Sequence, residues 1–155
     1  MPESNRFQPR SADRPSRPLV VVSNREPYLH SLAEDGSVTW EPTTGGVAVA
    51  LDALMRERGG VWIAHGAGDA DRRVVDADDR ELVPPDAPSY ALRRIWLTEA
   101  EERHYYEGFA NEGLWPLCHV AHVKPVFRAA DWRAYQVVNK RFARAVEDEL
   151  LDLAS

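Results

Sequence analysis

Apolar runs and one helical pattern alternate along the first half of the chain. Leu19–Val22 is an unbroken apolar run with three valines, which is typical of a strand buried on both faces of a sheet. Apolar residues recur at helical spacing over Val47–Met55, and Gly59-Gly60 ends that helix. Val61–Ala64 is the next apolar run. The pattern therefore predicts a β-α-β unit with a right-handed crossover.

A hairpin is predicted between the first strand and this helix. Tyr28–His30 and Val38–Trp40 are extended patterns, and Asp35-Gly36 between them is a strong turn signal. The alternative is a mobile loop that becomes ordered on a ligand.

The second half predicts a strand followed by helices. Tyr90–Leu97 has a strand pattern, and Thr98 with Glu101 forms a capping box that begins a helix through about Phe109. We expect a hydrophobic loop at Leu114–His119, because a proline there disfavours a regular element.

A last helix and two short edge strands complete the prediction. Asp131 is expected to cap a helix whose apolar face packs on the sheet. Val74-Val75 and Leu82-Val83 are the short strands in an acidic, proline-bearing stretch.

The pattern indicates an α/β fold that is incomplete. Residues 1–18 contain four arginines and four prolines with few large apolar residues, which predicts a disordered tail. Residues 19–155 form the domain. Three or four strands are too few for a doubly wound sheet covered on both faces, and the chain ends where a further strand is expected. We therefore expect a truncated or divided domain.

Charge and composition exclude several classes of partner. The formal net charge of the 155 residues is −6, and no basic block alternates with aromatic residues, so nucleic acid is not an expected partner. No apolar run approaches the ~20 residues of a membrane span, and the N-terminus lacks a signal-peptide core, so no membrane partner is expected. Cys118 is the only cysteine, which fits a cytoplasmic protein.

Residues with suitable chemistry follow the predicted strands. Arg25 follows the first strand and His65 the second, so both are expected at the same sheet edge. Arg25 can hold a phosphate with two hydrogen bonds, although a surface salt bridge is the alternative. Gly45 and Gly46 open the helix, where free N–H groups meet anions, although glycine pairs are more often simple turns.

Aromatic residues and histidines add weaker signals. Tyr105, Tyr106 and Trp115 offer flat apolar faces with polar atoms that suit sugar hydroxyls, although such residues are more often core. His65 and His119 can donate hydrogen bonds, although a structural role is more common. No metal-binding spacing and no catalytic triad is evident.

Six motifs in order carry a resemblance to a known family. They are Val20-Val21-Val22-Ser23-Asn24-Arg25, Gly45-Gly46-Val47-Ala48-Val49, Gly59-Gly60-Val61-Trp62, Tyr105-Tyr106-Glu107-Gly108-Phe109-Ala110-Asn111, Leu114-Trp115-Pro116-Leu117-Cys118-His119 and Trp132-x-x-Tyr135-x-x-Val138-Asn139. Over residues 19–150 the chain resembles the N-terminal part of trehalose-6-phosphate synthases, the retaining glycosyltransferases of family 20. The resemblance implies a partial Rossmann-like domain of a two-domain GT-B enzyme. It implies glucose transfer from a nucleotide sugar, usually UDP-glucose, to glucose 6-phosphate, without a metal or cofactor.

The resemblance also assigns roles to individual residues. Arg25 is expected to hold the acceptor phosphate, Tyr106 to contact the acceptor, and Trp115 to help select its anomer. Gly45 and Gly46 are expected to approach the donor diphosphate and sugar. His65 stands where the family often has a tryptophan near the acceptor, so a different phosphorylated sugar or a glycerol phosphate is an alternative acceptor.

The family's catalytic motifs lie outside these 155 residues. Neither the His-Asp-Tyr-His-Leu and His-Ile-Pro-Phe-Pro motifs nor the arginine and lysine that hold the leaving diphosphate occur here. We therefore expect no catalytic residue in this chain, no activity of the chain alone, weak or absent sugar-phosphate binding, and a missing C-terminal domain as partner. The alternatives are a stand-alone sugar-phosphate-binding or regulatory subunit, or part of a glucosyl polyol phosphate synthase. The resemblance also allows a homo-oligomer for the full enzyme.

Overall fold

A computed structural model describes residues 19–120 and 122–153, so the predicted tail lies outside the described residues. The strands are β1 (Leu19–Arg25), β2 (Tyr28–Leu32), β3 (Val38–Pro42), β4 (Gly60–His65), β5 (Arg80–Val83) and β6 (Tyr90–Ile95). The helices are α1 (Gly46–Arg58), a 3₁₀ turn (Asp71–Arg73), α2 (Glu99–Glu102), a π-helical segment (Arg103–Leu114), α3 (Trp115–Cys118) and α4 (Ala129–Asp152).

Within the described residues, four strands form the main sheet in the order β1-β4-β6-β5. β1, β4 and β6 are parallel, and β5 pairs antiparallel with β6. The predicted β-α-β unit is confirmed as β1-α1-β4. The expectation that β1 is buried on both faces is wrong, because β1 lies at the sheet edge and Val22 is 47% exposed.

The predicted hairpin is confirmed as β2 and β3, with Leu32 paired to Val38. It is held on the sheet by its first strand, where Tyr28 is 1% and His30 is 2% exposed. The Tyr28 ring meets the Trp40 ring edge to face at 5.7 Å between centroids.

Strand residues alternate between two apolar layers. Trp62 and Ala64 of β4 face the layer formed with α1 and the hairpin, which includes Met55. Val61 and Ile63 face the layer formed with α4 and the π-helical segment. Helices thus cover both faces of the sheet, as expected of a Rossmann-like domain.

The helical region after β6 is longer than predicted. The predicted end near Phe109 and the predicted loop at Leu114–His119 are both wrong, because helical backbone continues through α3 to Cys118. Pro116 is tolerated because it lies in the first turn of α3, where a missing N–H is least costly.

Two smaller expectations are also corrected. Asp131 does not cap α4: Arg128 is the N-cap residue, and the Asp131 carboxylate accepts a hydrogen bond from its guanidinium at 3.1 Å. Val74-Val75 is not a strand but follows the 3₁₀ turn, whereas Leu82-Val83 belongs to β5.

In the described part of the chain, no helix has both the length and the apolar character to cross a membrane.

Candidate functional site

The ends of β1 and β4 bring the predicted site residues to one edge of the sheet. Arg25, the last residue of β1, lies opposite His65, the last residue of β4, after a register shift that follows Val22. This placement is the one that the sequence predicts, because parallel strands end at the same edge.

One cavity at this edge, which we call the tyrosine cavity, has a volume of about 230 Å³. It contains Arg25, His65 and Tyr106, all three predicted from the sequence. The other lining residues are Asn24, Glu26, Leu29, Thr43, Ala67 and Glu102.

A second cavity, the glycine cavity, has a volume of about 220 Å³ and contains Gly45 and Gly46. A Cβ atom at either glycine would meet no atom within 4 Å, so the backbone here is open to a ligand. Gly46, Val47 and Ala48 form the first turn of α1, whose N–H groups have no partner within the helix. The cavity therefore offers backbone donors and the positive end of a helix dipole.

Arg25 lines both cavities. Its guanidinium makes no ion pair or hydrogen bond with any residue that the structure describes. The alternative role of Arg25, a surface salt bridge, therefore has no partner among these residues. An unpaired guanidinium between two cavities is well placed for an anionic oxygen of a ligand.

His65 is 5% exposed, and its burial lowers the pKa of the imidazole. The negative charges of Glu102 and Asp71 act in the opposite direction but do not reverse the shift. The neutral imidazole, with one donor and one acceptor nitrogen, is therefore the main form at neutral pH.

Glu26, the residue after Arg25, is 2% exposed and has an unusual protonation equilibrium. Burial raises the pKa of its carboxyl to about 8, and a hydrogen bond with Asp71 adds to the effect, although the Arg94 charge opposes it. Its Oε1 accepts a hydrogen bond from the Ala67 N–H at 2.8 Å. The Glu26 side chain, which lines the tyrosine cavity, is therefore largely protonated and neutral at pH 7.

Arg94 of β6 lies beneath the tyrosine cavity and connects its wall to the sheet. The guanidinium donates to Glu26 Oε2 and to Glu81 Oε2, both at 2.7 Å, and to the Tyr28 carbonyl oxygen at 3.2 Å. It also lies 3.4 Å from the Asp71 carboxylate. These contacts join the start of the hairpin, β5 and the 3₁₀ turn to β6.

Trp115 is the one residue with a role assigned by the resemblance that lies outside both cavities; the candidates Tyr105, which is in the core, and His119 also line neither. Trp115 is 53% exposed, stacks on His119 at 4.5 Å, and is not among the described residues that line either cavity. Among the residues that the structure describes, no group of three or more His, Cys, Asp or Glu side chains is placed to hold a metal ion.

Sequence reasoning gave no individual role to four polar residues of the tyrosine cavity: Asn24, Glu26, Thr43 and Glu102. Glu102 precedes Tyr106 by four residues, so helical spacing alone could have placed both on one face. Asn24 and Glu26 flank Arg25, but no pattern distinguishes them from ordinary loop residues. The Asn24 Oδ1 atom is buried and has no hydrogen-bond partner among the described residues.

Comparison with known proteins identifies relatives of the chain. The profile of glycosyltransferase family 20 matches residues 17–152. The trehalose-6-phosphate synthase of Mycobacterium avium (strain 104) is 40% identical over 128 residues, which are 82% of this chain and 25% of that protein. The synthase of Mycolicibacterium smegmatis is 38% identical over 128 residues, with 82% and 24% covered.

Solved structures agree with the fold. An α,α-trehalose-phosphate synthase (UDP-forming) from Burkholderia vietnamiensis is 25% identical, with a TM-score of 0.57 over 86% of this chain and 26% of that one. An E. coli structure described as trehalose-6-phosphate bound with UDP-2-fluoro glucose is 28% identical, with a TM-score of 0.53 over 86% and 24%. The chain spans about a quarter of the length of the relatives that it matches. Because the family profile covers nearly all of the described residues, the chain belongs to glycosyltransferase family 20.

Proposed function

We propose that this chain forms the acceptor-side part of a retaining glucosyltransferase that transfers glucose from UDP-glucose to glucose 6-phosphate. Membership of glycosyltransferase family 20 supports the reaction class, and the relatives named as trehalose-6-phosphate synthases support the product. The UDP-2-fluoro glucose in the E. coli relative supports the donor. In this proposal residues 19–155 are an incomplete acceptor-side domain, and residues 1–18 are a tail outside it.

The tyrosine cavity takes the acceptor in this proposal. Arg25 supplies the positive charge for the phosphate, and Tyr106, which lines the same cavity, supplies a hydroxyl that donates a hydrogen bond to the acceptor. The observation that carries the proposal is the unpaired Arg25 guanidinium at the junction of the two cavities.

The glycine cavity takes the donor. The N–H groups at the start of α1 face a diphosphate, and the glycines leave room for its sugar. Arg25 is the only charged residue among the described residues that line this cavity. A leaving diphosphate requires more positive charge than one guanidinium provides. We therefore expect ligand binding by the 155-residue chain but no release of UDP.

An NMR titration of the ¹⁵N-labelled chain tests the proposal, since it detects weak binding. Glucose 6-phosphate should shift the amide signals of Arg25 and Tyr106, and UDP-glucose those of Gly45 and Gly46. Arg25→Ala should abolish the glucose 6-phosphate shifts. Arg103→Ala is the matched control, because Arg103 pairs with Glu99 on the surface and lines neither cavity. Binding that survives in the Arg25→Ala variant would refute the assignment.

A further inference from the structure

Glu102 brings a carboxylate into the tyrosine cavity. It is the last residue of α2, one helical turn before Tyr106, and both side chains line the cavity. The Glu102 carboxylate makes no hydrogen bond or ion pair with any described side chain. The neighbouring Glu101, in contrast, is bonded to Arg141 at 2.7 Å.

His65 is another polar residue that lines the same cavity. The residue is 5% exposed, and its imidazole makes no hydrogen bond with a described residue. Glu102 and His65 line the same cavity, and the charge of Glu102 acts on this imidazole. An imidazole that lines a cavity and has no partner in the described chain can hydrogen-bond a ligand there.

The chemistry of this pair indicates the class of partner. A carboxylate accepts hydrogen bonds only, and a neutral imidazole both donates and accepts. A phosphate is repelled by Glu102 and attracted by Arg25, so the phosphate belongs at the Arg25 side of the cavity. Hydroxyl groups, which both donate and accept, are the complementary partners for Glu102 and His65.

Resting on the function proposed above, we propose that Glu102 and His65 determine acceptor specificity by hydrogen-bonding hydroxyl groups of the acceptor. The substrate class is a polyhydroxylated phosphate ester, a sugar phosphate or a polyol phosphate. The pair favours such an ester over a phosphate ester of the same charge without hydroxyls. A site with buried polar groups penalises a ligand that leaves them unpaired.

The experiment compares two ligands of equal charge on the full 155-residue chain. Dissociation constants for glucose 6-phosphate and for ethyl phosphate are measured by NMR titration, and their ratio isolates the contribution of the hydroxyls. Glu102→Leu should weaken glucose 6-phosphate binding roughly tenfold, the effect of a lost hydrogen bond to a charged group. It should not weaken ethyl phosphate binding, because the variant removes a repulsive charge.

The variants separate this inference from the proposed function. Glu107→Leu is the matched control, since it removes an exposed carboxylate from the same helical region and should leave both constants unchanged. Arg25→Ala should weaken both ligands. If Arg25→Ala weakens both but Glu102→Leu leaves the ratio unchanged, the inference is wrong and the proposed function stands. If neither ligand binds, or Arg25→Ala weakens neither, both fail.

Folding of the variants is checked by the dispersion of their amide spectra. If Glu102→Leu does not fold, Glu102→Gln decides, because it keeps the size and acceptor oxygen but removes the charge. The ratio of the glucose 6-phosphate constant to the ethyl phosphate constant should then rise by roughly threefold, since a hydrogen bond to a neutral group is weaker. An unchanged ratio in Glu102→Gln would overturn the inference.

Discussion

Removal of Arg94 should destabilise the wall of the tyrosine cavity more than any surface change. Arg94 is 1% exposed, and its guanidinium makes charged hydrogen bonds to Glu26 and Glu81 and lies beside Asp71. Arg94→Leu leaves Asp71 and Glu81 without their cation, and the Glu26 carboxyl without a donor, in a buried site. Breaking a buried ion pair by removal of one partner costs about 3–5 kcal/mol. That is a large share of the roughly 5–15 kcal/mol that stabilises a typical domain.

Urea unfolding followed by tryptophan fluorescence measures this loss, because Trp62 is 1% exposed and lies in the apolar layer beneath the hairpin. Arg103→Leu is the matched control. Its partner Glu99 is four residues earlier on the helix surface, with side-chain exposures of 58% and 92%. A pair of this kind contributes below about 0.5 kcal/mol.

The pH dependence of the Arg94→Leu variant provides a second test. Without the guanidinium an opposite charge is lost, so the pKa of Asp71 should rise and the pKa of Glu26, already raised by burial, should rise further. The folded variant then binds protons more tightly than the folded parent chain does, so it loses more stability as pH rises. The destabilisation should therefore be larger at pH 8 than at pH 5. A loss below about 1 kcal/mol, or one equal at the two pH values, would refute the view that Arg94 neutralises a buried acidic cluster.

Further predictions concern the backbone and the start of the helical region. Gly60→Ala should destabilise by about 2 kcal/mol or more in the same urea assay, because φ is +119° and the new Cβ would lie 2.1 Å from the Leu19 oxygen. Gly46→Ala, in open space at the start of α1, should be neutral or stabilise the fold by about 0.5 kcal/mol. If the two alanine variants changed the free energy of unfolding equally, the steric explanation for Gly60 would be wrong. The hydrogen bond from Arg141 lowers the pKa of Glu101 to about 2, so its stabilisation is present above the unfolded pKa and lost as pH falls toward 2. In the Arg141→Met variant, the melting temperature should therefore depend less on pH in this acidic range.

The strands and the site edge could be predicted because their signals are local and strong. Three consecutive valines predict the strand β1, and apolar residues at helical spacing predict the helix α1. When two strands of a sheet are parallel, their carboxyl ends lie at the same edge of that sheet. Arg25 and His65 therefore share an edge as a consequence of topology, without any contact between them being predicted.

The charged cluster beneath the site could not be predicted from local patterns. Arg94 and Glu26 are 68 residues apart, and an arginine at a strand position ordinarily indicates a solvent-facing side chain. It is buried here because the hairpin folds over this face of β6. The loop expected at Leu114–His119 is wrong for a different reason: it rests on Pro116 as a breaker, although the first turn of a helix tolerates proline.

The charges in the tyrosine cavity limit the pH at which a phosphate binds there. With the pKa of Glu26 at about 8, its carboxyl is largely protonated at pH 7. The positive charge of Arg25 then faces one negative charge among the described residues that line the cavity, that of Glu102. Above pH 8 Glu26 ionises, and the cavity gains a second negative charge.

Because a phosphate ester is already mostly dianionic by pH 7, its affinity should fall between pH 7 and pH 9. Ethyl phosphate titrations across this range measure the effect, and Glu26→Gln should remove it. The same proton links binding to stability. The folded pKa of Glu26 lies above its unfolded value, so its stabilisation is complete below about pH 4.5 and is lost as pH rises through 8. Constant affinity from pH 7 to pH 9 would mean that the phosphate does not sense the Glu26 carboxyl, and would place it outside the tyrosine cavity.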